Sequence, residues 1–173
     1  GPGEIYDCGC SNIEEEKCDC EGNVVCLSLD KVNETTYNLM YSSSVSIKGF
    51  QFNHTNCIGS LSGGAAATAG FNVTNANGTV IGFSFTGQSI QPASNAILTV
   101  LEQEENGTIL CSDCIENNFT LSDGNDEPID EVSYSTNTYI TDECDICDGP
   151  GEIYDCGCED FPDGECDCNG NIL

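Results

Sequence analysis

Two residue types in this chain carry chemistry beyond the backbone's own: asparagines in Asn-x-Thr context and closely spaced cysteines. Six sequons occur, Asn33-Glu-Thr35, Asn53-His-Thr55, Asn72-Val-Thr74, Asn77-Gly-Thr79, Asn106-Gly-Thr108 and Asn118-Phe-Thr120. None has proline in the middle and all end in Thr, an excess over what the Asn, Ser and Thr content would place by chance. An Asn-x-Thr tripeptide is an N-glycan acceptor, and an occupied one must face solvent. The plainer reading is that Asn and Thr are common in exposed β structure. The excess, and its confinement to the middle of the chain, favour glycans on Asn33, Asn53, Asn72, Asn77, Asn106 and Asn118.

The fourteen cysteines are Cys8, Cys10, Cys18, Cys20, Cys26, Cys57, Cys111, Cys114, Cys144, Cys147, Cys156, Cys158, Cys166 and Cys168. An even number at regular spacing in a short chain indicates a disulfide framework and an oxidising compartment. Cys-x-Cys pairs recur, so two parallel bridges between such pairs would clamp two short strands. Cys8 with Cys18 and Cys10 with Cys20 would do this, as would the crossed pairing, and spacing does not choose. Cys26, Cys57, Cys111 and Cys114 remain for the middle of the chain, where two bridges among them are expected. Zinc is the rival ligand for Cys-x-x-Cys, but an oxidising compartment converts such thiols to disulfides. Redox chemistry at Cys111-Ser-Asp-Cys114 or Cys144-Asp-Ile-Cys147 lacks a basic neighbour to lower a thiol pKa.

Thirty Asp and Glu face three lysines and no arginine, for a net charge of -27. Nucleic acid is excluded as a partner, because phosphates are neutralised by Lys and Arg. The same field repels anionic membrane surfaces and attracts divalent cations. Oxygen-rich turns that suit Ca²⁺ occur at Asp123-Gly-Asn-Asp-Glu127, Asp142-Glu-Cys-Asp145 and Asp163-Gly-Glu-Cys-Asp-Cys-Asn169, with Asp123, Asp126 and Asp163 as weak candidate ligands. No full calcium-loop pattern is present and acidic turns are usually just solvated, so no cofactor is expected. Catalysis is not expected either. The only histidine, His54, sits inside a sequon where it should be exposed, and the chain lacks Trp for a sugar platform and Arg to position an anion. No apolar run of about eighteen residues reads as a membrane span.

The elements that must position these residues follow from composition. Gly1-Pro-Gly-Glu-Ile-Tyr-Asp-Cys-Gly-Cys10 returns unchanged as Gly149 to Cys158, a period of 148 residues, and the match extends through Cys166-Asp-Cys168. Fixed-period self-similarity is the signature of an array, so the chain reads as one unit plus the start of the next. Three modules are expected: a Cys-rich connector over 1–23, a glycosylated β-sandwich over 24–141, and the second connector over 142–173. A connector this small and polar cannot bury a core of its own, so cross-links must replace one.

The middle alternates with period two. Tyr37, Leu39 and Tyr41 share a face, as do Phe50 and Phe52, and Ile81, Phe83 and Phe85 are expected to point together into the core, with Gly82 and Ser84 outward. Further strands are expected over Val24–Leu29, Val45–Ile47, Ala69–Val73, Ala96–Leu101, Thr108–Cys111, Phe119–Leu121 and Val132–Ile140. Asn77-Gly78 and Asn106-Gly107 read as tight hairpin turns. Ser62-Gly-Gly-Ala-Ala-Ala-Thr68 suits a loop or one helical turn, and its glycines argue for loop. Eight or so short strands at this spacing suggest an antiparallel sandwich.

Tyr-Asn-Leu-Met-Tyr-Ser, Ile-Lys-Gly-Phe-Gln-Phe, Val-Ile-Gly-Phe-Ser-Phe and Ala-Ile-Leu-Thr-Val-Leu, in that order, resemble the cohesin-like β-sandwich repeats of large secreted surface and filament proteins. Such repeats are often joined by Cys-rich linkers similar to Asp-Ile-Cys-Asp-Gly and Cys-Asp-Cys-Asn-Gly-Asn here. The resemblance covers roughly Val24 to Ile140. It implies a secreted or cell-surface repeat, assembling with copies of itself, or a module that binds a protein or polysaccharide. The chain departs from the best-known cohesins in being short and rich in sequons, so no partner-binding residue is carried over.

Overall fold

A computed structural model describes residues 15–135 and 139–152. Among these residues nine strands form two sheets. In chain order they are β1 (Val25–Lys31), β2 (Thr36–Ser43), β3 (Ile47–Asn53), β4 (Ile58–Ser62), a short helix α1 (Gly64–Thr68), β5 (Asn72–Ala76), β6 (Thr79–Phe83), β7 (Ala93–Gln103), β8 (Thr120–Asp123) and β9 (Val132–Tyr134). The first sheet has the order β4-β7-β2-β1-β9 and the second β5-β6-β3-β8. Every pairing is antiparallel except β1 with β9, which run parallel. The fold is an all-β sandwich of two sheets.

Alternation explains why β1 and β2 form the centre of the first sheet. Val25, Leu27 and Leu29 on β1 and Tyr37, Leu39 and Tyr41 on β2 are buried, while the residues between them are not. From the second sheet, Phe50 and Phe52 of β3, Val80 of β6 and Leu121 of β8 face them. Aromatic rings bind the layers at one side of the core, with Phe52 stacked on Phe119 at 4.8 Å and Phe119 against Tyr134 at 5.1 Å. Such pairs add to area burial through the ring quadrupole.

β6 is inverted relative to the pattern expected from its sequence. Val80 and Gly82 face inward, and Ile81, Phe83 and Phe85 face out. The physical reason is Phe50, paired with Gly82 across β3 and β6: its ring lies over the glycine, and a Cβ at Gly82 would fall within the ring's contact radius. With both alternating sets apolar, local hydrophobicity does not choose a face, and the space Phe50 needs decides it.

Several element boundaries also differ from expectation. Of the segment expected at Val45–Ile47 only Ile47 is in a strand, where it opens β3, which runs on through Gly49–Asn53 with a register shift between Ile47 and Gly49. β4 carries no strong alternation in sequence. The strand expected at Ala69–Val73 begins only at Asn72, because α1 and its closing bonds, Ala69 N–H to Ala65 O and Phe71 N–H to Ala66 O, occupy the residues before it. α1 forms despite Gly64 because Ala66 is fully buried, a tertiary gain that outweighs poor propensity. Thr108–Cys111 is not a strand, and β9 ends at Tyr134. Asn77-Gly78 makes the expected turn with both residues at positive φ, whereas Asn106-Gly107 turns without it, closed by Gly107 N–H to Glu104 O.

Candidate functional site

The structural chemistry concentrates at the two ends of β1. At its Val25 end, Cys18 is bonded to Cys26, and the N–H groups of Val24 and Val25 both donate to Glu131 O. Lys17 pairs with Glu131, and Ser44 Oγ donates to Glu16 O at 2.6 Å. At the Lys31 end, Cys111 is bonded to Cys147. There Lys31 Nζ reaches Cys147 O at 3.5 Å, Tyr37 Oη donates to Cys147 Sγ at 3.0 Å, and Ser112 N–H donates to Tyr139 O. Burial pushes the Tyr37 hydroxyl up to about 12, with Glu34, Tyr139 and Asp148 adding to the effect.

These bridges correct the cysteine pairing expected from spacing. Cys18 joins the first strand rather than Cys8 or Cys10. Of Cys26, Cys57, Cys111 and Cys114, only Cys57 and Cys114 bond to each other, and the other two reach outward to Cys18 and Cys147. Cys20 and Cys144 are disulfide-bonded as well. Cys8, Cys10, Cys156, Cys158, Cys166 and Cys168 lie outside the described residues. The sulfur atoms of Cys18 and Cys26 and the Asp19 carboxylate come within 4.8 Å of one another, but sulfurs joined to each other are not thiolate ligands.

One loop design occurs three times among the described residues. In 19–23, 123–127 and 142–146 an Asp carboxylate oxygen accepts the N–H groups two and four residues on: Glu21 and Asn23 for Asp19, Asn125 and Glu127 for Asp123, Cys144 and Ile146 for Asp142. The residue three positions on has positive φ in each, Gly22, Asp126 and Asp145. Asp and Asn tolerate that conformation and such carboxylate turns replace backbone pairing. Burial alone would raise the Asp19 carboxyl, but hydrogen bonds from Asn23, Glu21 and Ser133 outweigh it and hold it below the ordinary value. The Ile146 N–H, with those of Gly151 and Cys144, overcomes slight desolvation to lower Asp142 likewise. Gly149, the first residue of the second decapeptide, is glycine because a Cβ there would strike the Asp142 carboxylate.

Of the calcium candidates, Asp123 thus holds its own loop, Asp126 pairs with Lys48 at 2.8 Å, and Asp163 lies outside the described residues. His54 is only 5% exposed, against the exposure expected of a sequon's middle residue. Its Nδ1 accepts from the N–H groups of Cys57 and Ile58, which assigns the ring proton to Nε2, and Nε2 donates to Asn75 Oδ1 at 2.9 Å. Asn75 in turn donates to Ile58 O at 2.6 Å. The imidazole therefore organises the turn into β4. Nothing local distinguishes such a histidine; Asn75 comes from β5.

Five sequon asparagines, Asn33, Asn72, Asn77, Asn106 and Asn118, are exposed, and Asn53 is half-buried with its Oδ1 accepting from Thr79. Asn53 N–H also donates to Asn118 Oδ1, and Asn33 Oδ1 accepts from Thr35. Four of the six belong to or border the second sheet. The first sheet's outer side has instead an open groove of about 530 Å³ beside the Cys18–Cys26 bridge, with Ser28, Met40 and Asn95 among its walls. It is too open to bury a small ligand.

No helix among the described residues is long and apolar enough to cross a membrane. The disulfides belong to an oxidising environment. No protein-family model and no curated protein matches the chain. Among solved structures, a chain from the crystal structure of a CaDoc0917 variant in complex with CaCohA2 at pH 5.5 is similar, with a TM-score of 0.42 and 15% identity, over 64% of this chain and 94% of that one. The sandwich assignment stands on the strand pairings themselves.

Proposed function

We propose that the chain is a structural repeat unit of a secreted, N-glycosylated extracellular filament or surface layer, joined to its neighbours through disulfide-stapled connectors. The observation that carries this reading is polarity. The residues after the first decapeptide are stapled at the Val25 end of β1, and those leading into the second at the Lys31 end. Attachment points at opposite ends of a single strand support a connector on each side of the sandwich. Repetition of that contact is heterologous, head to tail, and propagates along a line. At about 3.4 Å per residue, eight-residue β2 spans roughly 27 Å, and the sandwich is at least that long between its ends.

The role is mechanical, not enzymatic, and both ring nitrogens of the single histidine being engaged in a turn supports that. No resident metal is assigned, and an unchanged melting temperature in excess chelator is the matching expectation. Electron microscopy of the native material tests the main reading: regular fibres or sheets with an axial repeat above about 27 Å support it, and dispersed monomers overturn it. Release of mass by an N-glycosidase tests the sugar coat.

A second reading is favoured by one observation, the outward row Ile81, Phe83 and Phe85. An apolar strip with one fully exposed ring, Phe85, suits a cohesin-like module that binds a protein or polysaccharide, and monomers that retain such a ligand on purification would select it.

A further inference from the structure

We propose that the outward row Ile81, Phe83 and Phe85 is a platform for the chain's own sugar, the first residues of a glycan on Asn72. This rests on the glycosylation proposed above. Asn72 of β5 and Phe83 of β6 are direct cross-strand partners on the outer face of the second sheet, which places their Cβ atoms about 4.5 to 5.5 Å apart. Phe85 is 79% exposed and meets Phe83 edge-on at 4.7 Å. On the other flank of Phe83 stands Gly49, which has no side chain to cover the ring.

The surrounding chemistry fits a neutral, hydroxylated occupant. Across the paired rows of this face the residues are Asn72, Phe83, Gly49 and Ser122, then Thr74, Ile81, Gln51 and Thr120, then Ala76, Thr79 and Asn53. None is charged, in a chain with thirty Asp and Glu. A pyranose presents C–H bonds on one face, which suit the negative face of an aromatic ring, and hydroxyl and acetamido groups at its rim, which suit Gln51 and Thr74. Exposed apolar patches of this kind mark a partner, and here the attachment point is already on the patch. Asn72 is exposed and its side-chain amide makes no hydrogen bond among the described residues, unlike those of Asn33, Asn53 and Asn118. β5 is also a sheet edge, so a sugar folded back over β5 and β6 would shield an edge strand from pairing with another copy.

The test uses the full chain secreted from N-glycosylating cells, as wild type and as Phe83→Ala, Phe85→Ala, Asn72→Gln and Asn72→Gln with Phe83→Ala. Glycopeptide mapping reads occupancy, NMR of glycan-labelled protein reads the N-acetyl methyl of the Asn72-linked sugar, and thermal melts read coupling. The expected result is an occupied Asn72, an upfield-shifted methyl that returns to the free-sugar position in Phe85→Ala and Phe83→Ala, and a melting temperature roughly 2 to 8 °C lower in Asn72→Gln. That loss should vanish in the Phe83→Ala background. An occupied Asn72 with an unshifted methyl, insensitive to either Phe, overturns the platform and leaves glycosylation standing. Occupancy at other sequons but not at Asn72 overturns it too, and self-association abolished by Phe85→Ala would then assign the row to a second copy. Absence of sugar from all six sites overturns both readings. Phe85→Ala keeps the test alive if Phe83→Ala does not fold, because Phe85 is outside the core.

Discussion

Leu39 lies fully buried in the middle of β2, between Leu29 of β1 and Thr99 of β7, and burying such a side chain contributes about 1.5 to 3 kcal/mol. Asp142, beyond the Lys31 end of β1, is not part of the core, and its loop is held by three N–H groups on one carboxylate and by the bridge at Cys147. Between them the two regions show how one chain divides its stabilisation. Where alternation supplies a core, packing holds the strands and the buried Cys57–Cys114 bridge adds to it. Where Cys, Asp and Gly leave none, covalent bonds and carboxylate turns take over.

If that division is right, the largest effect will come from the bridges. Replacing Cys57 and Cys114 together by Ser should cost about 2 to 5 kcal/mol and lower the melting temperature of the whole sandwich. Replacing Cys111 and Cys147 should cost a similar amount by the same loop argument, yet also expose residues 139–152 to protease in the native state. Equal protease resistance in both variants would remove the distinction between core and ends.

A smaller effect is expected within the sandwich. Gly82→Val puts atoms where the Phe50 ring lies and should cost about 1 to 3 kcal/mol, partly recovered by adding Phe50→Leu. Denaturant melts of the four-member cycle would read the coupling, and full additivity would mean that β6 does not owe its orientation to this contact.

His54→Ala leaves the N–H groups of Cys57 and Ile58 without their acceptor. A loss of about 1 to 3 kcal/mol is expected, with hydrogen exchange speeding up at those two amides. His54→Asn, which keeps an acceptor on a shorter side chain, should recover part of it.

The smallest effect separates the regions by pH. Asp19 and Asp142 titrate below their ordinary value in the folded chain, so what they contribute is complete above the unfolded carboxyl pKa near 3.9 and is lost as pH falls through the lower folded one. Acid below about pH 4 should therefore loosen the Asp loops at the ends before the core. In Asp142→Asn the Ile146 amide should exchange faster already at neutral pH and show a weaker acid step. An unchanged exchange profile would assign that loop to the disulfide alone.

Much of the middle was legible from alternation. β1, β2 and β3 face as their Val, Leu, Tyr and Phe positions require, because only one of their two faces is apolar enough to bury. Asn77-Gly78 was legible because few residue pairs accept two positive φ values. β6 was not, since Val80 and Gly82 compete with Ile81 and Phe83 for the same core and neither set is polar. His54 was misread for a related reason: a sequon's middle position says nothing about a turn whose acceptor demand arises from Cys57, Ile58 and Asn75.

The sequence by itself determined which residues alternate, where the glycan sequons lie, that the cysteines suit an oxidising compartment, and that one Cys-rich stretch occurs twice. These are local or compositional properties, readable within a few residues or by comparing two stretches. Only the tertiary structure decided which cysteine meets which, that Cys18 and Cys147 staple to opposite ends of β1, and that Phe83 shares an outer face with Asn72. Each of those depends on bringing distant segments together, and distance along the chain carries no signal of which apolar face will find a partner of the right shape.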